Sequence, residues 1–546
     1  MFLFGVLQFS SKCRIGTSSK KEGLMFKPLS FSQLTSYPFP LVVSYKIKNG
    51  SDRRVADVWA KVKTSVTEKD GSRLAELIEI FGDVGDPIIE ARILRYHFEI
   101  LPCRYPPVLV RLEREHLIDA TITDNSAASY SSMTRSYVTA VTVDGEYTRD
   151  RDDAMSLVVL HRGDTVETAR LGIHIVDVAA LLCEMYKDDP TALEIAMEWA
   201  QKRGATAYWR EDCGDGSGHA QTSSPVFPNR LCHDVFSLQA DGRVRPCISL
   251  YYEIARNIGD GDGGESNEDR TWHILDNVSP MTVLDDYIRI DLNTTYSSFE
   301  KERPYMVRVL RELLSRDKNV NVEVNGGENC NEGLVEWAML RYNLHFARMF
   351  QNRECALLRV QKSSEEPASY AMGSAKYVGH ASMPSHAVYG HFTSPIRRFA
   401  DLYNQMCLFP SRQRTPDGAY FARLRFASSP LTSLQVDGLN SRMDALRQYH
   451  AREAVMRLAY RCMSAPLMVD AVAIPSEDGR ALMLTFPSDE VVPKRLRVPF
   501  HDSYFAEDVC AIYREGINAF SRRRRVTLHG VIPRHRAELR IRIVDN

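Results

Sequence analysis

Apolar residues recur with period two over some stretches of this chain and at three- and four-residue spacing over others, so strands and helices can be placed before any chemistry. Val55 to Lys63 alternates as Val-Ala-Asp-Val-Trp-Ala-Lys-Val-Lys. After the charged turn Glu68 to Ser72, Leu74 to Phe81 forms a second apolar segment that ends in Gly82-Asp83-Val84-Gly85-Asp86-Pro87. This pattern predicts a small OB-like β-barrel over residues 51–105. Tyr137 to Val143, Met155 to Leu160 and Leu171 to Val178 read as buried strands. Phe236 to Leu238 and Arg243 to Ile254 read as two more, joined by the turn Ala240-Asp241-Gly242. Helical spacing takes over in Met306 to Arg316, in Glu332 to Phe350 and in a long amphipathic segment from about Asn440 to Met463. Five short strand candidates follow Pro466, the number an OB-fold requires. The fold class expected is α+β and multidomain: a central mixed sheet with packed helices, flanked by small OB-fold β-barrels.

Composition narrows the class. The chain has 546 residues, enough for several domains. Lys plus Arg (69) balances Asp plus Glu (70), so affinity for a polyanion has to come from local basic patches. The eleven cysteines include no CxxC pair, which argues against a zinc ribbon and a disulfide framework. No run approaches the roughly 18 apolar residues of a membrane span, so a soluble protein without a membrane partner is expected. Residues 1–50 are rich in Ser and carry Lys12, Arg14, Lys20, Lys21, Lys27, Lys46 and Lys48 against Glu22. That composition fits a mitochondrial transit peptide or, for a cytoplasmic protein, a disordered basic tail. Residues 106–136 read as a connector, 137–464 as the central domain and 465–546 as the C-terminal barrel. The C-terminal barrel includes the run Arg522-Arg523-Arg524-Arg525, in which Arg523 and Arg524 are candidate contacts to a phosphate backbone.

Two segments carry candidate chemistry. Asp144, Asp150, Asp152 and Asp153 fall within ten residues between two strands. Carboxylates so close repel one another and hold protons unless a cation neutralises them, so a divalent metal accounts for the cluster, with a solvated acidic turn as the alternative. The second segment is Tyr389-Gly-His-Phe-Thr-Ser-Pro-Ile-Arg-Arg-Phe-Ala-Asp-Leu402, in which Pro395 is expected to open a helix. Thr393 and Ser394 would then be cap candidates, and Arg397 and Arg398 would lie in its first turn as a phosphate site. His174 and Asp177 read as satisfied core polar groups.

With both segments on one chain, about 240 residues apart, the sequence resembles the ribonuclease II (RNB) family of 3′→5′ exoribonucleases, whose members carry Asp-x5-Asp-x-Asp-Asp on a strand and loop of this kind. The resemblance runs over roughly residues 75–465, through Gly172 to Val178, Arg203 to Tyr208, Phe236 to Leu238 and Leu334 to Glu336. It implies a central RNB domain that hydrolyses single-stranded RNA to nucleoside 5′-monophosphates with Mg²⁺. Asp144, Asp150, Asp152 and Asp153 would hold the metal and carry catalysis, with Asp152 tied most directly to the reaction. Tyr208, Thr393, Ser394, Arg397 and Arg398 would contact RNA. An RNA helicase or a larger ribonucleoprotein complex is the partner class implied.

Several departures from the family pattern stand out. Leu402 is followed by Tyr403-Asn404-Gln405-Met406 where relatives continue with a His-Arg pair. Ser131 to Thr139 replaces an Arg-x-Asp-Leu-Arg approach, a helical stretch is missing between Val360 and Tyr377, and there is room for one N-terminal barrel in place of two. These losses motivate the alternative of a weak or inactive RNB-fold RNA-binding or assembly factor within a mitochondrial ribonucleoprotein complex.

Overall fold

Strands begin at the second residue. The computed structural model describes residues 2–9, 15–18, 21–29, 41–45, 56–69, 72–101, 103–119, 138–211, 220–258, 271–318, 320, 331–350, 355–361, 367–373, 388–408, 430–475, 481–486, 495–499, 523–532 and 536–544. In these, β1 (Phe2–Gln8), β2 (Ile15–Ser18), β3 (Lys21–Pro28), β4 (Leu41–Tyr45), β5 (Val58–Lys69) and β6 (Ser72–Asp83) form one sheet in the order β1-β5-β6-β4-β3-β2. A β1–β3 pairing closes the sheet into a barrel, and its one parallel pair is β4–β6, the OB arrangement. Leu7, Leu24, Phe26, Leu41, Val43, Val58, Ala60 and Val62 fill the interior.

The expectation that the N-terminal barrel starts only after residues 1–50 is therefore corrected. They supply four barrel strands, and the barrel starts some fifty residues before the predicted boundary. Burial of Val6, Leu7, Leu24, Phe26 and Leu41 to Val43 is what orders these strands. Of the basic residues, Lys21 and Lys27 lie on β3, and Lys12, Arg14, Lys20, Lys46 and Lys48 lie outside the described residues.

Helix α1 (Pro87–His97) follows, opened by Pro87 and capped by Asp86, whose Oδ1 accepts from Ile88 N (2.8 Å) and Ile89 N (3.2 Å). The expected connector begins as α2 (Pro107–Asp119), which buries Leu109 and Leu112. Residues 120–137, including most of Ser131 to Thr139, lie outside the described residues.

The central sheet is mixed, as expected, and it is also closed. β7 (Val138–Asp144), β8 (Asp153–Arg162), β9 (Val166–Val176), β12 (Val244–Asn257) and β14 (Met281–Thr295) form a ring through the pairings β7–β8, β8–β9, β9–β12, β12–β14 and β14–β7. The last of these is parallel. Between these strands come α3 (Val178–Met185), α4 (Pro190–Arg203), the hairpin β10 (Ala207–Glu211) with β11 (Ala220–Ser224), and β13 (His273–Ile274) on the edge of β12. Phe236 to Leu238 is not a strand. Leu231–Phe236 forms a wide helical turn, and Ser237 and Leu238 are spent on pinning the aspartate loop. Helices α5 (Phe299–Glu302), α6 (Pro304–Arg316) and α7 (Glu332–Phe350) follow. In α6, Met306, Val307, Val309, Leu310, Leu313 and Leu314 are buried, the three- and four-residue spacing read from the sequence.

His174 lies inside the ring, fully buried, with its ring nitrogens 2.8 Å from Ser156 Oγ and 2.8 Å from Ser249 Oγ. Burial pushes its pKa down to about 4 from 6.5. The unfolded chain therefore binds a proton that the native state refuses, and stability falls as pH drops from about 6.5 toward about 4. The loss is on the order of 3 kcal/mol. Urea unfolding between pH 7.5 and 4.5 should show a steeper pH slope for wild type than for His174→Asn. Equal slopes would contradict this account of His174.

The hairpin β15 (Leu357–Val360) and β16 (Ser369–Met372) precedes α8 (Phe399–Met406), and α9 (Ser433–Ser464) starts seven residues earlier than its apolar pattern predicted. β17 (Leu467–Pro475), β18 (Ala481–Thr485), β19 (Arg495–Pro499), β20 (Arg523–Val531) and β21 (Glu538–Val544) form a sheet in the order β19-β18-β17-β20-β21. These are the five predicted strands in the neighbour order of an OB-fold.

The chain divides into two compact units, Met1–Cys103 with Ala445–Asn546, and Arg104–Asp444. Within the first, Glu90 of α1 is buried. It accepts from Tyr460 Oη (2.8 Å) and Ala537 N (3.1 Å) and pairs with Arg452 (3.5 Å), so one carboxylate joins α1, α9 and the C-terminal barrel.

Candidate active site

The aspartates are placed by strand ends. Asp144 is the last residue of β7 and Asp153 the first of β8, and Asp150 and Asp152 lie on the loop between. Three ties fix that loop. Arg151 N donates to Ser237 Oγ (3.0 Å), Ser237 Oγ donates to the Arg149 carbonyl (2.7 Å), and Leu238 N donates to the Arg151 carbonyl (3.0 Å). At its far end Val176 N donates to the Asp152 carbonyl (2.9 Å). Gln239 adds bonds to the Arg149 carbonyl and to Arg151 Nη1. Ser237 and Gln239 were not legible as site residues, because the residues they hold, Arg149 and Arg151, lie 86 to 90 positions away in sequence.

The second segment meets the first at Asp152. That carboxylate is buried, accepts from Ile396 N (2.8 Å) and pairs with Arg397 Nε (3.3 Å). Arg397 is 45% exposed, so its remaining donors face solvent. Tyr208 Oη donates to Asp150 Oδ2. Tyr296, which the sequence did not single out, lies beside Asp153 and Asp144. Burial, and then these two charges, push its hydroxyl pKa up.

The helix expected at Pro395 starts at Phe399 instead. The Ser394 carbonyl accepts from Arg397 N (3.3 Å) and Arg398 N (2.9 Å), closing a tight turn. Beyond it, Thr206 N donates to the Arg397 carbonyl and Phe399 N to the Gly204 carbonyl, both at 2.9 Å, and Arg398 sits extended opposite Ala205. Bonds to the 204–206 segment hold this backbone out of helix. Asp401 then accepts from Ser394 N (2.8 Å) and binds the Arg398 guanidinium (2.9 Å). Arg398 therefore turns to Asp401 and Arg397 to the aspartates. Thr393 and Ser394 are buried beneath the turn, and Asn343 of α7 holds the segment through Phe392 N (2.8 Å) and Thr393 Oγ1 (3.4 Å). Asn404 and Gln405 belong to the Tyr403-Asn404-Gln405-Met406 stretch that follows Leu402. Both are buried and bond to the backbone of Leu357, His391, Val176 and Ala179. The backbone of Arg523 and Arg524 lies on β20 in the other unit, and their side chains fall outside the described residues.

Gly204 makes this turn possible. Its φ is +72°, and an added Cβ would meet Arg442 Cγ at 3.0 Å. Gly204→Ala is expected to cost about 1–3 kcal/mol in thermal unfolding. A loss below the error of the measurement would show that the 397–399 backbone tolerates a shift.

The electrostatics of the cluster are those of carboxylates short of positive charge. Burial raises Asp144 to about 6, opposed by the Arg151 charge and aided by the weaker influence of Asp150. Burial and then Asp144 raise Asp153 to about 7. Asp152 is also pushed well up by burial, although Arg397 opposes this. Asp144 Oδ2 is buried and makes no hydrogen bond. Asp150 and Asp152 are already engaged, and among the described residues no set of three His, Cys, Asp or Glu converges as a ready ligand shell. Magnesium is held by one or two carboxylates together with waters and phosphate oxygens. Asp144 and Asp153 supply such a hard-oxygen pair, so the residues fit that ion.

A closed mixed sheet with packed helices and small OB-like barrels is an RNase R-like fold. No family model matches the chain. It is 24% identical over 408 residues to ribonuclease R of Thermotoga maritima, covering 60% of this chain and 52% of that protein, so the chain spans about half the length of this relative. Among solved structures, Mycoplasma genitalium RNase R in complex with double-stranded RNA aligns with a TM-score of 0.60 at 13% identity, over 99% of this chain and 95% of that one. The same enzyme with ribose-methylated single-stranded RNA gives 0.59 at 12%, over 98% and 89%. Yeast Ssd1, a pseudonuclease, gives 0.52 at 12%, over 100% and 83%. The resemblance to the ribonuclease II (RNB) family read from the sequence is borne out.

Proposed function

We propose that this protein is a magnesium-dependent 3′→5′ exoribonuclease that shortens single-stranded RNA and releases nucleoside 5′-monophosphates. The observation that carries this reading is the junction at Asp152, where the aspartate loop and the Arg397 turn share one carboxylate 244 residues from its partner Ile396. Magnesium bound here would supply a water nucleophilic at neutral pH and neutralise charge on the transferring phosphoryl group. Asp144 and Asp153 are the oxygens available to hold it. The Tyr208 hydroxyl fixes Asp150, and Arg397, anchored through Nε, has exposed donors to take a phosphate. Asp152 fixes Arg397 and the Ile396 peptide, so it sets where a phosphate bound by Arg397 sits relative to the carboxylates.

Direction and product test this reading together. RNA labelled at its 3′ end should yield labelled mononucleotide at once, and the same RNA labelled at its 5′ end should shorten progressively. Internal fragments in the first turnover would contradict it. The second reading, an RNA-binding protein without nuclease activity, is favoured by one observation: the pseudonuclease Ssd1 shares the fold across the whole of this chain.

A further inference from the structure

Arg151 stands between Asp150 and Asp152 in the sequence as a spacer of the aspartate motif. Its peptide is pinned through Ser237 Oγ and Leu238 N, so the position of the loop does not depend on its side chain. The side chain nevertheless turns inward. Its Nε lies 3.5 Å from Asp144 Oδ2, and Nη1 donates to Gln239 Oε1 at 2.9 Å. The two side chains are only 19% and 15% exposed. Both Arg151 Nε and Asp144 Oδ2 are buried without a hydrogen bond, so the pair is held at charge–charge range with its directional bonding unused. After burial, the Arg151 charge is the largest influence on the Asp144 carboxylate, and it acts to keep that carboxylate ionised.

We propose that Arg151 is an internal counter-ion for Asp144 that competes with a divalent cation for the same carboxylate oxygen and so weakens the hold of this chain on its metal. The inference rests on the reading of the aspartates as a metal site. A guanidinium at 3.5 Å neutralises Asp144 when no other cation is near, and it repels a dication that approaches the same oxygen. Its bond to Gln239 keeps the guanidinium in place where a flexible side chain would otherwise drift into solvent. Arg151 is in these terms a positioning residue, acting on the metal through Asp144.

Binding of Mn²⁺ alone, read by electron paramagnetic resonance of the free ion, tests this on the full chain. The comparison is among wild type, Arg151→Leu, Arg151→Gln, Arg151→Lys and Asp144→Asn, each first shown by thermal unfolding to be folded. Arg151→Leu and Arg151→Gln should bind Mn²⁺ about tenfold tighter than wild type. Arg151→Lys, which keeps the charge, should stay near wild type, and Asp144→Asn should bind more weakly. If the neutral variants bind no tighter while Asp144→Asn still weakens binding, the counter-ion role is overturned and the metal site stands. Equal tightening in Arg151→Lys and Arg151→Leu would assign the effect to shape and overturn the proposal. Absence of Mn²⁺ binding in every protein, wild type included, would overturn both the proposal and the metal reading.

Discussion

Asp152→Asn should lower the rate of single-stranded RNA shortening by about three orders of magnitude while leaving the fold in place. The substitution keeps the size of the side chain and one oxygen to accept from Ile396 N, so the aspartate loop and the turn stay joined. It removes one negative charge from the cluster and can point an amide NH₂ at Arg397 Nε, where the carboxylate made its pair. Arg397 then loses the partner that aims it. Single-turnover shortening of 5′-labelled RNA, with circular dichroism to confirm folding, measures the effect. A rate within tenfold of wild type would remove Asp152 from the centre of the chemistry.

Asp401→Ala should be the most damaging change to stability near the site, by about 3–5 kcal/mol. Asp401 is fully buried, accepts from Ser394 N and pairs with the Arg398 guanidinium. Removing it leaves a largely buried cation and an amide unpaired, which costs more than the loss of the pair itself. Asp401→Asn, which can still accept from Ser394 N, should lose less. Urea unfolding of the three proteins gives the order wild type, Asn, Ala. A loss below about 1 kcal/mol for Asp401→Ala would show that Arg398 finds water or another acceptor.

The chemistry was more legible in the sequence than the scaffold that aims it. Four aspartates at fixed spacing and an arginine pair after Thr-Ser-Pro can be read from residue types, because charge repulsion and phosphate affinity do not depend on where the chain goes next. Which arginine faces the aspartates could not be read. That choice is made by Asp401 on one side and by the Ala205 and Gly204 backbone, nearly 200 residues away in sequence, on the other. For the same reason Pro395 pointed to a helix that begins four residues later. The stretch Tyr403-Asn404-Gln405-Met406 looked like a departure from the family pattern. In the fold, Asn404 and Gln405 of that stretch are committed to the buried backbone carbonyls of Leu357 and Val176.

The N-terminal barrel was half hidden. β5 and β6 are 12 residues each, long enough for period two to show, whereas β2 and β4 have only four and five residues. Short strands whose pairing is non-local carry little periodic signal, and the closing β1–β3 and β4–β6 pairs appear only in three dimensions. Tyr296 and Arg151 were missed for a related reason. Each enters the site through the direction of its side chain, which the type and spacing of residues do not encode.

The central claim is that the Asp152 junction assembles a working, metal-dependent nuclease on this fold. Incubation of the purified full chain with 5′-labelled single-stranded RNA, with Mg²⁺ and with a chelator in parallel, tests it most directly. A ladder of progressively shorter RNA with Mg²⁺, absent with chelator, is the predicted result. RNA bound at a one-to-one ratio and recovered at full length under both conditions would contradict it.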